Sequence, residues 1–426
     1  MAKEQFEKQQ KLSLRLIRGS RLKTGTSRRV FLIVMDGVGI GSLPDAAEYG
    51  QSGANTLGHI CQVVEKFKLS NFEKLGLGNI AKLDGVTATE NPKAFFGRIK
   101  PLTKENDSAP LHWEMMGINN SRRMTLLPQG LPSKVLQRFY EETGCQCVGN
   151  IMIERGGELE RLRTISYQEH KPAVYSTTDS VVQIIIHEEQ MSTEHLHYLA
   201  QILRKILDDD YYIGRVVAKV FTGTEGNFTR VEGQRKDMTL SPPTSDFLMT
   251  RLQGEDIPVI GVGKIYDFFS GVGITESIKT SNNSEGIEQI IRLLKKLERG
   301  FVFANLMDFD TLGGHCNDPA AFAEYLCQLD ESLTVMLDLL TPLDLLIITS
   351  DHGNDPTLET KTHTREYVPL LFVYPDKQDK SCSLGVRSTF GDISATIAQW
   401  FGLKREHGIS FLDQQFSTSH KTKVGL

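Results

Sequence analysis

Five stretches of the chain are apolar without alternation, and they are spread over both of its ends. These runs are Val30–Met35, Val259–Val262, Phe301–Met307, Leu343–Ile348 and Leu370–Tyr374. Runs of this kind are typical of strands that are buried on both faces of a parallel sheet. Between them, Gly286–Glu298 and Asp318–Leu340 repeat apolar residues at helical spacing. Strands therefore alternate with helices, which predicts an α/β fold.

The pattern changes in the middle of the chain, between residues 122 and 245. Helical spacing alternates there with short strand-like runs. The segments are Pro132–Thr143 and Thr193–Leu207 for the helices, and Ala173–Ser176 and Gly214–Phe221 for the strands. This mixture predicts a smaller α+β module that is inserted into the α/β part.

The chain has 426 residues, which exceeds the size of about 250–300 residues at which a single hydrophobic core stops growing. We expect one core made of residues 29–121 and 246–426, interrupted by the module 122–245. Residues 1–28 read as a basic N-terminal extension, which we interpret as a flexible tail. It has neither the apolar stretch nor the cleavage site of a secretory signal.

Charge and composition exclude several classes of protein. Residues 1–29 hold nine Lys or Arg against two Glu, so the remainder carries about −12 although the net charge is −5. An acidic body argues against nucleic-acid binding, and no apolar run reaches the 18 residues of a membrane span. Six cysteines without a CxxC pair favour a reducing cytoplasm. Cys145 and Cys147 are interpreted as strand thiols.

Three of the apolar runs end in the same kind of side chain. The residues that follow them are Asp36, Asp308, Asp310, Asp351 and His352. In open α/β sheets the ligand crevice lies outside the carboxyl ends of the strands. We therefore expect these side chains to converge, although Asp36 taken alone would more often be a turn or helix-cap residue than a ligand.

Two more histidines, His315 and His363, lie just past the same strand ends. Several carboxylates brought this close repel one another unless cations neutralise them. Mixed Asp and His ligands suit Mn²⁺, Zn²⁺ or Fe²⁺. Because two cations about 3.5–4 Å apart can hold both oxygens of a phosphoryl transfer, the pattern predicts a dinuclear metal site.

A longer series of segments occurs in a fixed order along the chain. It consists of VFLIVMDGVGIGSLPDAAEYGQSGANTLGHI, LHWEMMG, GRVVAKVF, EGNFTR, VGKIYDFF, GVGITES, NLMDFDTLGGH and SDHGNDPTLETKTHTREYVPLL. This series resembles the phosphopentomutase family, over about Arg29 to Leu412. The resemblance implies an alkaline-phosphatase-like core with a central, mostly parallel sheet, and an inserted α+β cap that binds substrate.

The resemblance also implies roles for individual residues. One metal ion would be bound by Asp36, Asp351 and His352, and the other by Asp310, His315 and His363. The substrate contacts would be Asp179, Arg215 and Lys264, since an acid suits sugar hydroxyls and a cation suits phosphate. The family further implies manganese as the metal, a sugar bisphosphate as activator and a small sugar phosphate as the partner molecule.

The residue that accepts the phosphoryl group departs from the family pattern. The family carries a threonine in a Gly-Lys-Asp-Thr stretch before the HWE motif, and this chain has Glu105, Asn106, Asp107 and Ser108 there. A serine hydroxyl can perform the same chemistry, so Ser108 is the expected nucleophile. The alternative is that Ser108 only caps a helix. Gly149–Gly157 departs as well, because bulky residues replace small and hydroxylic ones.

The resemblance implies a phosphopentomutase, which interconverts the 1-phosphate and the 5-phosphate of ribose or deoxyribose through a phosphoserine. Two alternatives stay open at the level of the sequence. A phosphatase or phosphodiesterase would use the same metal site but pass the phosphoryl group to water. A catalytically weakened homologue would serve only as a binding module, although ligand-type residues at all six metal positions count against it.

Overall fold

The computed structural model describes residues 27–119, 124–153, 156–177 and 180–415. Its strands are β1 Arg29–Met35, β2 Phe95–Ile99, β3 Val148–Met152, β4 Ala173–Ser176, β5 Val181–His187, β6 Arg215–Thr222, β7 Thr229–Arg230, β8 Lys236–Thr239, β9 Val259–Val262, β10 Glu276–Ile278, β11 Gly300–Leu306, β12 Asp344–Thr349, β13 Val368–Val373 and β14 Ser383–Arg387. The basic extension lies outside the described residues, apart from its last two positions.

The α-helices of the same residues alternate with these strands. They are α1 Thr56–Val63, α2 Ser70–Leu75, α3 Ser108–Met115, α4 Ser133–Thr143, α5 Gly156–Glu169, α6 Thr193–Asp210, α7 Leu248–Gly254, α8 Ile265–Phe268, α9 Asn283–Lys296, α10 Pro319–Asp338 and α11 Gly391–Phe401. Among the described helices, none is long and apolar enough to cross a membrane.

The chain divides into two compact units, Met1–Asn120 with Pro242–Leu426 and Ser121–Ser241. The first unit holds a sheet of order β10-β9-β11-β1-β12-β13-β2-β14. Its central strand β1 runs parallel to β11 on one side and to β12 on the other. Every residue of β1, β11 and β12 is buried, which explains why these strands read as unbroken apolar runs. The expectation of an α/β fold with a mostly parallel sheet is confirmed.

One strand of this sheet runs against the expected direction. The apolar run at Leu370–Tyr374 predicts a parallel strand, but β13 is antiparallel to both β12 and β2. The run is apolar because β13 is buried throughout, and burial does not determine whether a strand is parallel or antiparallel to its neighbours. A parallel pair needs a long crossover, usually a helix, whereas the chain between β12 and β13 stays in loops at one edge of the sheet.

The core of the first unit lies between the sheet and its helices. Phe31 and Ile33 of β1 pack in one cluster with Leu326 of α10 and Ile290 of α9. At the start of β1, the guanidinium of Arg29 makes two 2.6 Å hydrogen bonds to the buried carboxylate of Asp344 in β12. This pair ties the two strands together at the end opposite to the one where Asp36 follows β1.

The second unit contains a smaller mixed sheet of order β3-β4-β5-β6-β7, with β8 also paired to β6. One face packs on α4 and α6 through residues such as Val135 and Leu199. Residues of α5 such as Leu162 pack with Phe221 in a separate cluster. The expected helices and strands of this segment are present, but Cys145 and Cys147 precede β3 and are not part of a strand. Their interpretation as strand thiols is wrong.

Candidate active site

The acidic side chains that end the apolar runs lie at one edge of the first sheet. Asp36 follows β1, and Asp351 and His352 follow β12 after a single serine. Asp310 lies in the π-helical turn Phe309–Gly314, just after β11. Because β11, β1 and β12 are neighbours and parallel, their carboxyl ends meet, as the sequence pattern predicts.

Asp36, Asp351 and His352 form the first group of candidate ligands. The Nε2 atom of His352 lies 3.4 Å from Asp36 Oδ1 and 3.3 Å from Asp351 Oδ2. Both oxygens are buried and have no hydrogen-bond partner among the residues that the structure describes. Because a buried charged oxygen without a partner is costly, these two atoms fit a cation between them.

Asp310, His315 and His363 form the second group. Asp310 Oδ2 lies 3.2 Å from His315 Nε2, and Asp310 Oδ1 lies 3.5 Å from His363 Nε2. One ligand atom from each residue falls within 4.8 Å of the others, and Asp36, Asp310 and His352 meet the same limit. Asp310 therefore belongs to both clusters, and its carboxylate is shared between them.

The three histidines present the same ring nitrogen to the carboxylates. Their Nδ1 atoms donate to backbone carbonyls instead, from His315 to Lys361 at 2.7 Å, from His363 to Asn106 at 2.6 Å and from His352 to Gly353 at 3.1 Å. A proton on Nδ1 leaves the Nε2 lone pair free to bind a metal. This second hydrogen bond is the usual partner of a metal-binding histidine.

Asp36 lies among carboxylates that repel its negative charge, whereas Asp310 lies among histidines. Burial, and then the charges of Asp351 and Asp310, raise the pKa of Asp36 well above its ordinary value. Burial also opposes the ionisation of Asp310, but His363 and His315 outweigh it and lower the pKa of that carboxyl. Two divalent cations would offset the repulsion at Asp36, and a donor set of carboxylates and imidazoles fits them.

Ser108 lies against the first group of ligands. Its Oγ is 3.0 Å from His352 Nε2, and only 9 % of the residue is exposed. Ser108 is the first residue of α3, and the cap of this helix is Asp107, whose Oδ1 accepts from the amide of Ala109 at 3.1 Å. The capping alternative for Ser108 is therefore wrong, because the preceding aspartate performs that role.

Two residues that the sequence pattern did not single out connect Asp36 to Ser108. Asn305 Nδ2 donates to Asp36 Oδ2 at 2.8 Å and lies 3.3 Å from His112 Nε2. His112 Nδ1 in turn donates to the carbonyl of Ser108 at 2.7 Å. The signal for Asn305 was visible in the sequence, since it is the one polar residue within the apolar run FVFANLM.

A buried glutamate fixes the loops around the site. Glu366 accepts from the amide and hydroxyl of Thr56, from the amide of Gly41 and from the hydroxyl of Thr364, at 2.6 to 3.0 Å. Burial raises the pKa of Glu366 even so. A Cβ on Gly353 would come within 2.2 Å of this carboxylate. The glycine beside Asp351 and His352 thus makes room for the residue that holds their loop.

The expected substrate contacts are distributed over both units. Lys264 directly precedes α8 in the first unit, and its positive charge acts to lower the pKa of Asp36, against the larger effect of burial. Arg215 is the first residue of β6 in the second unit and is half-buried. Asp179 lies outside the described residues.

Comparisons with known proteins indicate the family of the chain. A family model described as the metalloenzyme superfamily matches residues 28–405. The chain is 42% identical over 386 residues to a phosphopentomutase of Dictyoglomus thermophilum, which covers 90% of this chain and 98% of the relative. It is 40% identical over 388 residues to a phosphopentomutase of Dictyoglomus turgidum, with coverages of 91% and 98%.

Solved structures resemble the chain more distantly. A phosphoglycerate mutase of Leishmania mexicana aligns with 91% of this chain and 98% of its own, at 11% identity and a TM-score of 0.48. A likeness at this level carries no argument about activity. The sequence relatives and the family model do, and they show that the chain belongs to the phosphopentomutase family of the metalloenzyme superfamily.

Proposed function

We propose that this protein is a phosphopentomutase that interconverts the 1-phosphate and the 5-phosphate of ribose or deoxyribose, with Ser108 as the phosphoryl carrier. The observation that supports it most directly is the position of Ser108. Its buried hydroxyl lies 3.0 Å from His352 Nε2. The same nitrogen lies 3.4 and 3.3 Å from two carboxylate oxygens that have no hydrogen-bond partner among the described residues.

The reaction would consist of two transfers through the same oxygen. In the first, the bond between phosphorus and Ser108 Oγ breaks, a new bond forms to the free hydroxyl of the sugar monophosphate, and the proton of that hydroxyl passes to Oγ. The product is a sugar 1,5-bisphosphate. In the second, the other phosphoryl group moves to Oγ and the proton returns to the sugar. Atoms and charge balance, so no further reactant is needed.

The residues of the site would prepare Ser108 for this exchange. Ser108 begins α3, and the free backbone amides at the start of a helix favour negative charge near them. Bound cations, held by Asp36, Asp351 and His352 and by Asp310, His315 and His363, would neutralise developing charge on the serine and phosphate oxygens. Because the ligands are carboxylates and imidazoles, we propose manganese as the metal.

The remaining roles are proposals of the same kind. We propose Lys264 and Arg215 as phosphate contacts and Asp179 as a contact to the sugar hydroxyls. We propose that the unit Ser121–Ser241 is the substrate-binding cap and that the first unit carries the catalysis. A sugar bisphosphate would load Ser108 and so act as activator. All six cysteines are unbridged, which supports the proposal of a reducing cytoplasm.

Loading Ser108 with phosphate and following its fate tests the proposal. The purified chain is incubated with Mn²⁺ and ribose 1,5-bisphosphate, and the phosphorylated peptide is mapped by mass spectrometry. Ribose 5-phosphate is then added in a single turnover. We expect phosphate on Ser108 and its transfer to sugar, no phosphorylation or turnover in Ser108→Ala, and retained mutase activity in Ser108→Thr. Release of inorganic phosphate instead would indicate a phosphatase, and full activity of Ser108→Ala would refute the proposed role.

A further inference from the structure

The loop that leads into Ser108 is held at successive residues by other parts of the first unit. We call residues 104–107 the acceptor loop. Tyr49 Oη donates to the carbonyl of Lys104 at 2.8 Å, and His363 Nδ1 donates to the carbonyl of Asn106 at 2.6 Å. Arg365 Nη1 lies 3.4 Å both from the carbonyl of Glu105 and from Asn106 Oδ1. The acceptor loop is therefore tied to the segment that carries His363.

Arg365 is itself fixed on every side. It is only 3 % exposed, and its Nε and Nη2 atoms donate to the carboxylate of Asp45 at 3.2 and 3.1 Å. Its guanidinium lies 5.3 Å from the centre of the Tyr49 ring, and its amide donates to Gln51 Oε1 at 2.7 Å. A guanidinium has five N–H donors in a rigid plane, so these contacts determine where Nη1 points.

We infer that Arg365 is a positioning residue for phosphoryl transfer, which acts through Glu105 and Asn106 to hold Ser108 Oγ beside His352. This inference rests on the proposed function of Ser108. The Asn106 side chain contributes to this contact, because its Oδ1 atom presents an acceptor to the guanidinium of Arg365. His363 holds the same loop through the Asn106 carbonyl, so Arg365 and the second ligand group fix the loop from adjacent positions.

The matched comparison is between Arg365→Met and Arg29→Met. Arg29 is also a buried arginine that binds a carboxylate and backbone carbonyls, but it lies at the opposite end of β1 from Asp36. Both variants should lower the melting temperature. Only Arg365→Met should slow the loading of Ser108 by ribose 1,5-bisphosphate, by about tenfold, with the KM for ribose 5-phosphate within about twofold and with wild-type metal content. Arg365→Lys should restore part of the rate.

Asn106 variants test the route by which Arg365 acts and do not require that Arg365→Met folds well. Asn106→Ala should slow loading, and adding it to Arg365→Met should cost less than the sum of the single effects, since both changes remove one shared contact. Amide hydrogen exchange in residues 105–109 should quicken in each slow variant and not in Arg29→Met.

Separate outcomes would overturn the inference and the proposed function. If wild-type Ser108 takes no phosphate, the proposed function fails and the inference fails with it. If wild-type Ser108 takes phosphate, and if Arg365→Met and Asn106→Ala take it at the wild-type rate, only the inference fails. Loss of metal in step with loss of rate would also overturn it, because Arg365 would then act through the His363 ligand group and not through the acceptor loop.

Discussion

The carboxylate of Asp310 lies 3.2 Å from the imidazole of His315, measured from Oδ2 to Nε2. Its other oxygen is 3.5 Å from His363 Nε2 and accepts a hydrogen bond from Asn354 Nδ2 at 2.7 Å. Asp310 also meets Asp36 and His352 within 4.8 Å. The two groups of candidate ligands are therefore not independent, since they share one carboxylate.

The metal content of variants should distinguish the shared ligand, Asp310, from a ligand of one group only, His315. We expect Asp310→Ala to lose both metal ions, because its carboxylate contacts both groups, and His315→Ala to lose about one of the two. Both should lower kcat by more than about tenfold, equivalent to about 1.4 kcal/mol. Elemental analysis of dialysed protein gives the metal content, and His59→Ala is a control because His59 pairs with Asp355 and not with Asp310. Equal loss in Asp310→Ala and His315→Ala would contradict a shared ligand.

The sequence predicts the edge of the sheet where the site lies, because burial and strand ends leave a direct pattern in the order of residues. The runs that end at Asp36 and Asp351 became the neighbouring strands β1 and β12. Their ligands therefore converge as expected. The antiparallel direction of β13 was not predictable in the same way, since an apolar run has no polarity.

The supporting residues were harder to identify because their roles depend on contacts between distant segments. Glu366 and Arg365 are adjacent residues in the segment HTRE. Nothing in that sequence shows that Glu366 binds Thr56 and that Arg365 contacts the acceptor loop. Asn305 was the exception, because a polar residue in a buried strand needs a partner. Ser108 was found through the resemblance, and its contact with His352 is visible only in three dimensions.

Replacing Asn305 should damage both stability and catalysis. Asn305→Leu keeps the number and branching of the side-chain heavy atoms but leaves Asp36 Oδ2 and His112 Nε2 without their shared donor. We expect a loss of about 1–3 kcal/mol in the free energy of unfolding, the usual cost of an unsatisfied buried group, and a lower kcat. Asn71→Leu is the control, since Asn71 also bonds between segments, to Asp330, but outside the site. An Asn305→Leu enzyme with unchanged kcat would show that the hydrogen bond from Asn305 to Asp36 does not contribute to catalysis.

The buried carboxylate of Glu114 should be essential for the placement of α3. It accepts from the amides of Leu102, Thr103 and Phe390 and from the hydroxyl of Thr389, at 2.9 to 3.0 Å. Glu114→Gln replaces one acceptor oxygen by a donor that faces other donors. We expect it to lower the free energy of unfolding by about 1–3 kcal/mol.

Urea unfolding followed by tryptophan fluorescence measures this effect in the first unit, because both tryptophans, Trp113 and Trp400, belong to it. Glu298→Gln is a suitable control, since Glu298 is exposed. A Glu114→Gln variant as stable as this control would show that the four hydrogen bonds do not depend on the charge of the carboxylate.

The second unit offers a test of electrostatics that is independent of the metal site. Burial, and then the charge of Arg235, lower the pKa of Lys219 to about 8, against about 10.4 for an unfolded lysine. Between these values the unfolded chain binds more protons than the folded one, so this group makes stability rise with pH across the window. Below about pH 8 the folded protein carries the full cost of a half-buried ammonium.

Lys219→Met should therefore raise the melting temperature at pH 7, by less than about 4 °C because solvent screens a half-exposed charge. Its advantage over the wild type should shrink at pH 10, where the folded wild type has already lost the proton. Lys205→Met, at an exposed position of α6, should show no such change between the two pH values. A Lys219→Met variant that is less stable than the wild type at pH 7, or equally shifted at both pH values, would mean that the Lys219 ammonium is stabilised in the folded protein.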